Sequence, residues 1–284
     1  MAVLRFTRDI ISRLPSIEVR HNSTMKRTAA MLISISLLAA IATAMPRASA
    51  YSIGSNSFSV VIQDDLQGLL KKLKSSAVEE RRDAAQQLAG LADPRSTDAL
   101  IAVLSDGDAG VRAAAADALG LIGDKRAVEP LTGLLKDNIA FVRSAAARVL
   151  GQLADARSVD PLKAALQDSS SSVRGAAALG LGSLHDTRVV PDMIPYLRDE
   201  APDVRAAVAS ALGDLRDKRA VEALSQLLKD ERTVRVAAAI ALADIGDKKA
   251  LPRLKEAVDA EKEAEIKSQM ADALHRLTAA PDQT

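Results

Sequence analysis

The chain has 284 residues, 26% of them charged and 48% apolar, with only 2% aromatics and neither cysteine nor tryptophan. A disulfide framework, a thiolate-ligated zinc site and a thiol nucleophile are therefore excluded. The formal charge is +1, but residues 1–50 hold 7 basic and 2 acidic groups, leaving 31 basic and 35 acidic downstream. That balance has the wrong sign for electrostatic capture of nucleic acid.

At the start of the chain, Lys26-Arg27 precedes an apolar run over 29–44, and Ala48-Ser49-Ala50 places small residues three and one positions before Tyr51. This is the layout of a secretory signal peptide. The run falls short of the roughly 20 apolar residues that cross a bilayer as helix, so cleavage after Ala50 is expected rather than an anchor. The expected organisation is an N-terminal extension over 1–24, a signal peptide over 25–50, a serine-rich flexible lead over 51–63, a repeat array over 64–278 and a tail over 279–284. The extension reads either as a start codon assigned too far upstream or as a long n-region. The mature chain is then periplasmic or secreted, with no membrane span and, lacking cysteine, no lipid anchor.

The rest of the chain repeats itself. Val111-Arg112, Val142-Arg143, Val173-Arg174 and Val204-Arg205 recur every 31 residues, followed by Val234-Arg235 and Ile266-Lys267. Eight residues past each apolar member stands Leu119, Leu150, Leu181, Leu212, Leu242 or Leu274, and the register run backward reaches a degenerate copy at Glu80-Arg81 with Leu88. Val111, Ala115, Ala118, Leu119 and Ile122 make one stripe of a helix, and Ala127, Leu131, Leu134 and Leu135 make another. Between them, Gly123 permits the left-handed conformation that ends a helix, and Asp124 can cap the next. Each unit is a helical hairpin that cannot bury its own stripe, so neighbours must stack. The predicted fold is all-α, a solenoid of about seven hairpins. Runs such as 113–116, 145–147 and 237–239 are alanine and allow close packing. Polar Glu80 and Gln87 and the charged linker 259–265 mark the two ends as caps.

The unit Val-Arg-x-Ala-Ala-x-x-Ala-Leu-Gly-x-Ile-Gly-Asp-x-Arg-Ala-Val-Glu-Pro-Leu, read from Val111 to Leu131, resembles the HEAT-like repeats first described in phycobilisome lyases. The resemblance implies that the second helix of each hairpin faces the concave side. It also implies that Arg112, Arg143, Arg174, Arg205 and Arg235, with Asp124, Asp155, Asp186, Asp217 and Asp247, form a structural ladder between repeats.

Two enzyme types share such repeats. The di-iron deoxyhypusine hydroxylases carry repeated His-Glu pairs, whereas His21, His185 and His275 are followed by Asn22, Asp186 and Arg276. No metal or other cofactor is expected. A bilin lyase needs only an apolar groove, but a secretory leader and the scarcity of aromatics argue against it. Lysine and arginine doublets at turns, such as Lys125-Arg126 and Lys218-Arg219, read as a solvated edge. The expectation is a non-enzymatic scaffold that binds a protein or peptide on its concave face. A lyase-type enzyme or accessory factor is the alternative.

The positions that the repeat leaves free are those one before the apolar member and two and six after it. They include Phe141, Ser144, Arg148, Leu179 and Ile240, the candidate partner-binding residues. Phe141, Arg148 and Leu179 have the composition of a binding hot spot, although Phe141 could instead pack onto the neighbouring helix. Asp117 and Ser210 share this face without such neighbours. N-terminal sequencing of the protein from its host should begin at Tyr51, and retention of residues 1–50 on the soluble protein would overturn the leader reading.

Overall fold

A computed structural model describes residues 66–281. The extension, the signal peptide, the lead and the last tail residues lie outside the described residues. Every regular element described is a helix. In chain order these are α1 (66–72), α2 (Val78–Leu91), α3 (Thr97–Ala102), α4 (Ala109–Ile122), α5 (Val128–Leu134), α6 (Ala140–Gln152) and α7 (Val159–Ala165). They continue as α8 (Ser171–Ser183), α9 (Val190–Met193), α10 (Pro202–Leu215), α11 (Val221–Gln226), α12 (Arg232–Ile245), α13 (Leu251–Ala260) and α14 (Ala264–Ala279). Odd-numbered helices are the first and even-numbered helices the second members of seven hairpins.

The two members differ because their sequences do. Second helices are long and rich in alanine. Val111, Ala115, Ala118 and Leu119 of α4 are fully buried, as the stripe requires. First helices are short and open with a 3-10 turn, such as Lys125–Ala127 before α5, with Ala127 inside the turn. Asp93, Asp124, Asp155, Asp186, Asp217 and Asp247 each cap that turn by accepting the main-chain N–H two residues on. The residue just before the capping aspartate takes the left-handed conformation in six repeats: Gly123 and Gly246, but also Ala92, Ala154, His185 and Arg216.

Consecutive second helices pack on one another along the whole array. Their approach is close enough that a Cβ on Gly151 would stand 2.5 Å from the Cα of Gly180, and one on Gly213 would stand 2.9 Å from the Cα of Ala241. First helices touch their neighbours far less. The second helices therefore form the tightly packed row of the stack.

A second set of contacts fastens repeat to repeat. Arg81, Arg112, Arg143, Arg174 and Arg205 each donate from Nε and Nη2 to both carboxylate oxygens of the residue 25 positions on, namely Asp106, Asp137, Asp168, Asp199 and Asp230. Their Nη1 groups donate to a main-chain carbonyl six residues back, so Asp106, Asp137, Asp168 and Asp199 each grip one arginine by carboxylate and the next by carbonyl. The expected ladder is thus corrected in its pairing. The arginines do not meet Asp124, Asp155, Asp186, Asp217 and Asp247, because those carboxylates are held by their own 3-10 turns and, in the first four, by the arginine two residues on. The last rung differs: Arg235 reaches Glu261 at 3.0 Å through Nη2, and its buried Nε has no partner.

The charges of these rungs are fixed by their surroundings. Arg81 and Arg143 hold Asp106 and Asp168 below the ordinary aspartate range. At Asp137, Asp199 and Asp230 burial is the largest influence and pushes the carboxyl up, but the arginine fork and a main-chain N–H outweigh it. Asp124 and Asp155, gripped by Arg126 and Arg157, fall to about 2.

Two outcomes follow from this packing. Leu150 is fully buried between hairpins, and Leu150→Ala should cost roughly 2 to 5 kcal/mol through lost transfer energy and a cavity. Hydrogen exchange should show the middle repeats opening before the ends, and uniform weakening would contradict nearest-neighbour coupling. Because the aspartates titrate lower folded than unfolded, their stabilisation is complete above the unfolded value of about 4 and is lost as pH falls toward 2. Chemical denaturation at a series of pH values should show stability falling across that window, and a flat profile would mean that the paired aspartates of the turns and the forks contribute nothing.

Candidate functional site on the second-helix face

Each second helix presents an open stripe with spacing i, i+4, i+7, i+11. On α6 it is Phe141, Ala145, Arg148 and Gln152, and on α8 it is Ser172, Ala176, Leu179 and Ser183. On α10 it is Asp203, Ala207, Ser210 and Asp214, and on α12 it is Thr233, Ala237, Ile240 and Asp244. Small residues at the second position keep a trough between the ends, while the other three positions project. Among the described residues, the large apolar side chains that remain exposed are Leu91, Leu121, Phe141, Leu179 and Ile240, all on second helices. In a chain with so few aromatics, Phe141 is 54% exposed.

The expected cluster is divided between two neighbouring grooves. Phe141 lines one of about 760 Å³ with Gly110, Ala114 and Asp117. Arg148 and Leu179 line the next, of about 540 Å³, together with Gln152, Ser172, Ser183 and Asp203. Both open to solvent along the face. Ile240 lies two repeats beyond Leu179 and joins neither.

Arg148 is not a free cation. Its guanidinium is ion-paired with Asp117, the same position one repeat earlier. Ser144 is engaged as well, its hydroxyl donating to the carbonyl of Ser172 at 3.2 Å. Asp117 therefore belongs to the cluster and is not an isolated control position. Ser210 is exposed and lies between Leu179 and Ile240, which hold the same position on the helices to either side. Counting one turn further along each helix would have brought in Leu121, 64% exposed and the most exposed of the large apolar side chains. The signal was present in the repeat, since Leu121, Gln152, Ser183, Asp214, Asp244 and Arg276 occupy that one position.

The face carries no arrangement of the kind that holds a metal: among the described residues no group of three or more His, Asp or Glu side chains converges. Each carboxyl with a displaced pKa is displaced downward, with arginines as neighbours, and so stays ionised near neutrality. His185, in its left-handed turn, closes α8. Among the described residues no helix is long and apolar enough to cross a membrane.

Comparison with known proteins agrees with this architecture. A profile of HEAT repeats matches residues 66–150, 140–200 and 190–275. The structure is similar to a chain of the CpcE–CpcF complex of phycocyanin lyase from Nostoc, with TM-score 0.53 and 22% identity over 93% of this chain and 100% of that one. It is also similar to the Escherichia coli protein YibA, with TM-score 0.50 and 20% identity over 82% and 99% of the two chains. A further likeness is to Kap95p in its complex with RanGDP, with TM-score 0.61 and 13% identity over 79% of this chain but only 38% of that one. At these identities the likeness is one of fold. No curated protein sequence matches the chain significantly.

Proposed function

The chain belongs to the HEAT-repeat family, and we propose that it is a non-enzymatic scaffold that holds a protein or peptide on the open stripes of its second helices. The observation that carries this reading is where the exposed apolar groups stand. Leu121, Phe141, Leu179 and Ile240 all project from second helices, whereas the large apolar side chains of the first helices are buried or half-buried. Exposing them costs roughly 25 cal/mol for each Å² of apolar surface left in water, which a covering partner would recover. The grooves beside them are open and extended, a form suited to a chain segment rather than to an enclosed small substrate.

The proposal includes export, supported by the Ala48-Ser49-Ala50 signal behind its apolar run.

The test is site-specific photo-crosslinking in the native host. A crosslinker at Leu121, Phe141 or Leu179 should yield a discrete protein adduct, and one at Glu129 or Asp160, exposed on first helices, should not. Phe141→Ala should then weaken binding of that protein by about 2 kcal/mol or more, with circular dichroism unchanged and Glu129→Ala near neutral. Adducts formed equally from both faces would remove the assignment.

A further inference from the structure

The charges on the open stripes are lopsided in a way that says what kind of segment fits. Arg82, Arg148, Arg232 and Arg276 are the arginines of this face, and each is already ion-paired, with Asp108, Asp117, Glu265 and Asp244 respectively. Several carboxylates are not. Asp83, Asp203, Asp214 and Asp272 lie at stripe positions, and among the described residues none has a salt-bridge partner. Two of these, Asp203 and Asp214, stand on the single helix α10, and they flank Ser210.

Leu179 on α8 and Ile240 on α12 lie one helix to either side of α10, at the same stripe position as Ser210 and exposed by 46% and 39%. With packed helices roughly 8 to 10 Å apart, the two apolar groups are about 16 to 20 Å apart along the array, the length of five or six residues of extended chain. Along α10 itself, at about 1.5 Å per residue, Asp203 lies roughly 10 Å to one side of Ser210 and Asp214 roughly 6 Å to the other. The Leu179 end has a built seat, because Leu179 and Asp203 line the same groove of about 540 Å³, floored by Gly175, Gly180 and Ala207.

From this arrangement we infer that the stretch from Leu179 across α10 to Ile240 docks a cationic segment of a partner protein. The segment has two aliphatic residues about five or six apart, with lysines or arginines between them. The aliphatic residues cover Leu179 and Ile240, and the cations reach Asp203 and Asp214 on either side of a floor made shallow by Ser210 and Ala207. Acidic segments are repelled by Asp203 and Asp214, and the arginine that lines the Leu179 groove, Arg148, is already held by Asp117. The inference rests on the scaffold reading and narrows it to one partner chemistry.

The full chain can be titrated with three labelled peptides: two leucines joined by a lysine-rich spacer, the same peptide with glutamate for lysine, and the same with serine for leucine. The lysine-leucine peptide should bind, more weakly at high salt, and the other two should not. The paired change Asp203→Asn with Asp214→Asn should weaken it about tenfold, as loss of charge partners across an interface does. Leu179→Ser should do the same, and Asp83→Asn, at the far end of the face, should leave binding unchanged. All sites changed are solvent-exposed, and circular dichroism of each variant confirms its fold. Equal binding of the glutamate peptide, unchanged affinity in the paired variant, or absence of binding by the lysine-leucine peptide would overturn the inference. Adducts from the second-helix crosslinkers in the face of any of those results would leave the scaffold standing with a partner of different chemistry.

Discussion

The repeated arginine fork is the contact on which the array depends. Each guanidinium enters an almost closed seam, with Arg174 and Asp199 only 9% and 8% exposed at their side chains. Its five donors face the next repeat's carboxylate and its own repeat's carbonyls. A buried pair of this kind contributes little net stability compared with an apolar pair of the same shape, but an arginine left without its carboxylate would be costly. The fork therefore acts on geometry. The aspartate that receives one arginine also offers its carbonyl to the next, so repeats can neither slide nor rotate without orphaning charge. From Arg81 to Asp230 the rungs form one continuous chain.

Small residues set the other dimension. Glycine and alanine along the second helices let backbones meet at distances no larger side chain would permit, as at Gly151 against Gly180. First helices, with leucines inside and 3-10 turns at their starts, cannot approach so closely. The difference leaves the second helices as the tightly packed row that carries the stripes. Their trough has the same origin, since the alanines that tighten the packing also leave the face low between its projecting ends.

Most of the architecture was legible because a period of 31 fixes which residues share a role. The same period explains what was missed. Two aspartates recur in every central repeat, one series at 106, 137, 168, 199 and 230 and the other at 124, 155, 186, 217 and 247. The glycine-aspartate turn drew attention to the second, but the buried arginine meets the first, and only the fold shows which carboxylate stands across the seam. The pairing of Arg148 with Asp117 follows a rule that sequence does contain: in a stack, residues one period apart are neighbours. Applied to Arg148, it places a carboxylate beside it. The division of the candidate cluster between two grooves was not legible, because it depends on which way Phe141 leans at the start of α6.

Stability and recognition are carried by different positions of the same helix. The apolar member, the arginine after it and the leucine seven residues beyond that arginine are nearly invariant from repeat to repeat, and they supply the core and the fork. The left-handed turn tolerates Ala154, His185 or Arg216 where Gly123 or Gly246 would be unstrained, although such a conformation costs about 1 to 2 kcal/mol for a residue with a Cβ. Strain at a turn can thus be borne once the seam and the close helix contacts fix the stack. The projecting stripe residues, such as Phe141, Leu179, Ser210 and Ile240, belong neither to the core nor to the fork, so their chemistry can change from helix to helix without disturbing either. That is why phenylalanine, leucine, serine and isoleucine can alternate with aspartates along the second-helix face while the 31-residue frame beneath them stays constant. The variation along the stripes is then free to follow whatever segment the face holds.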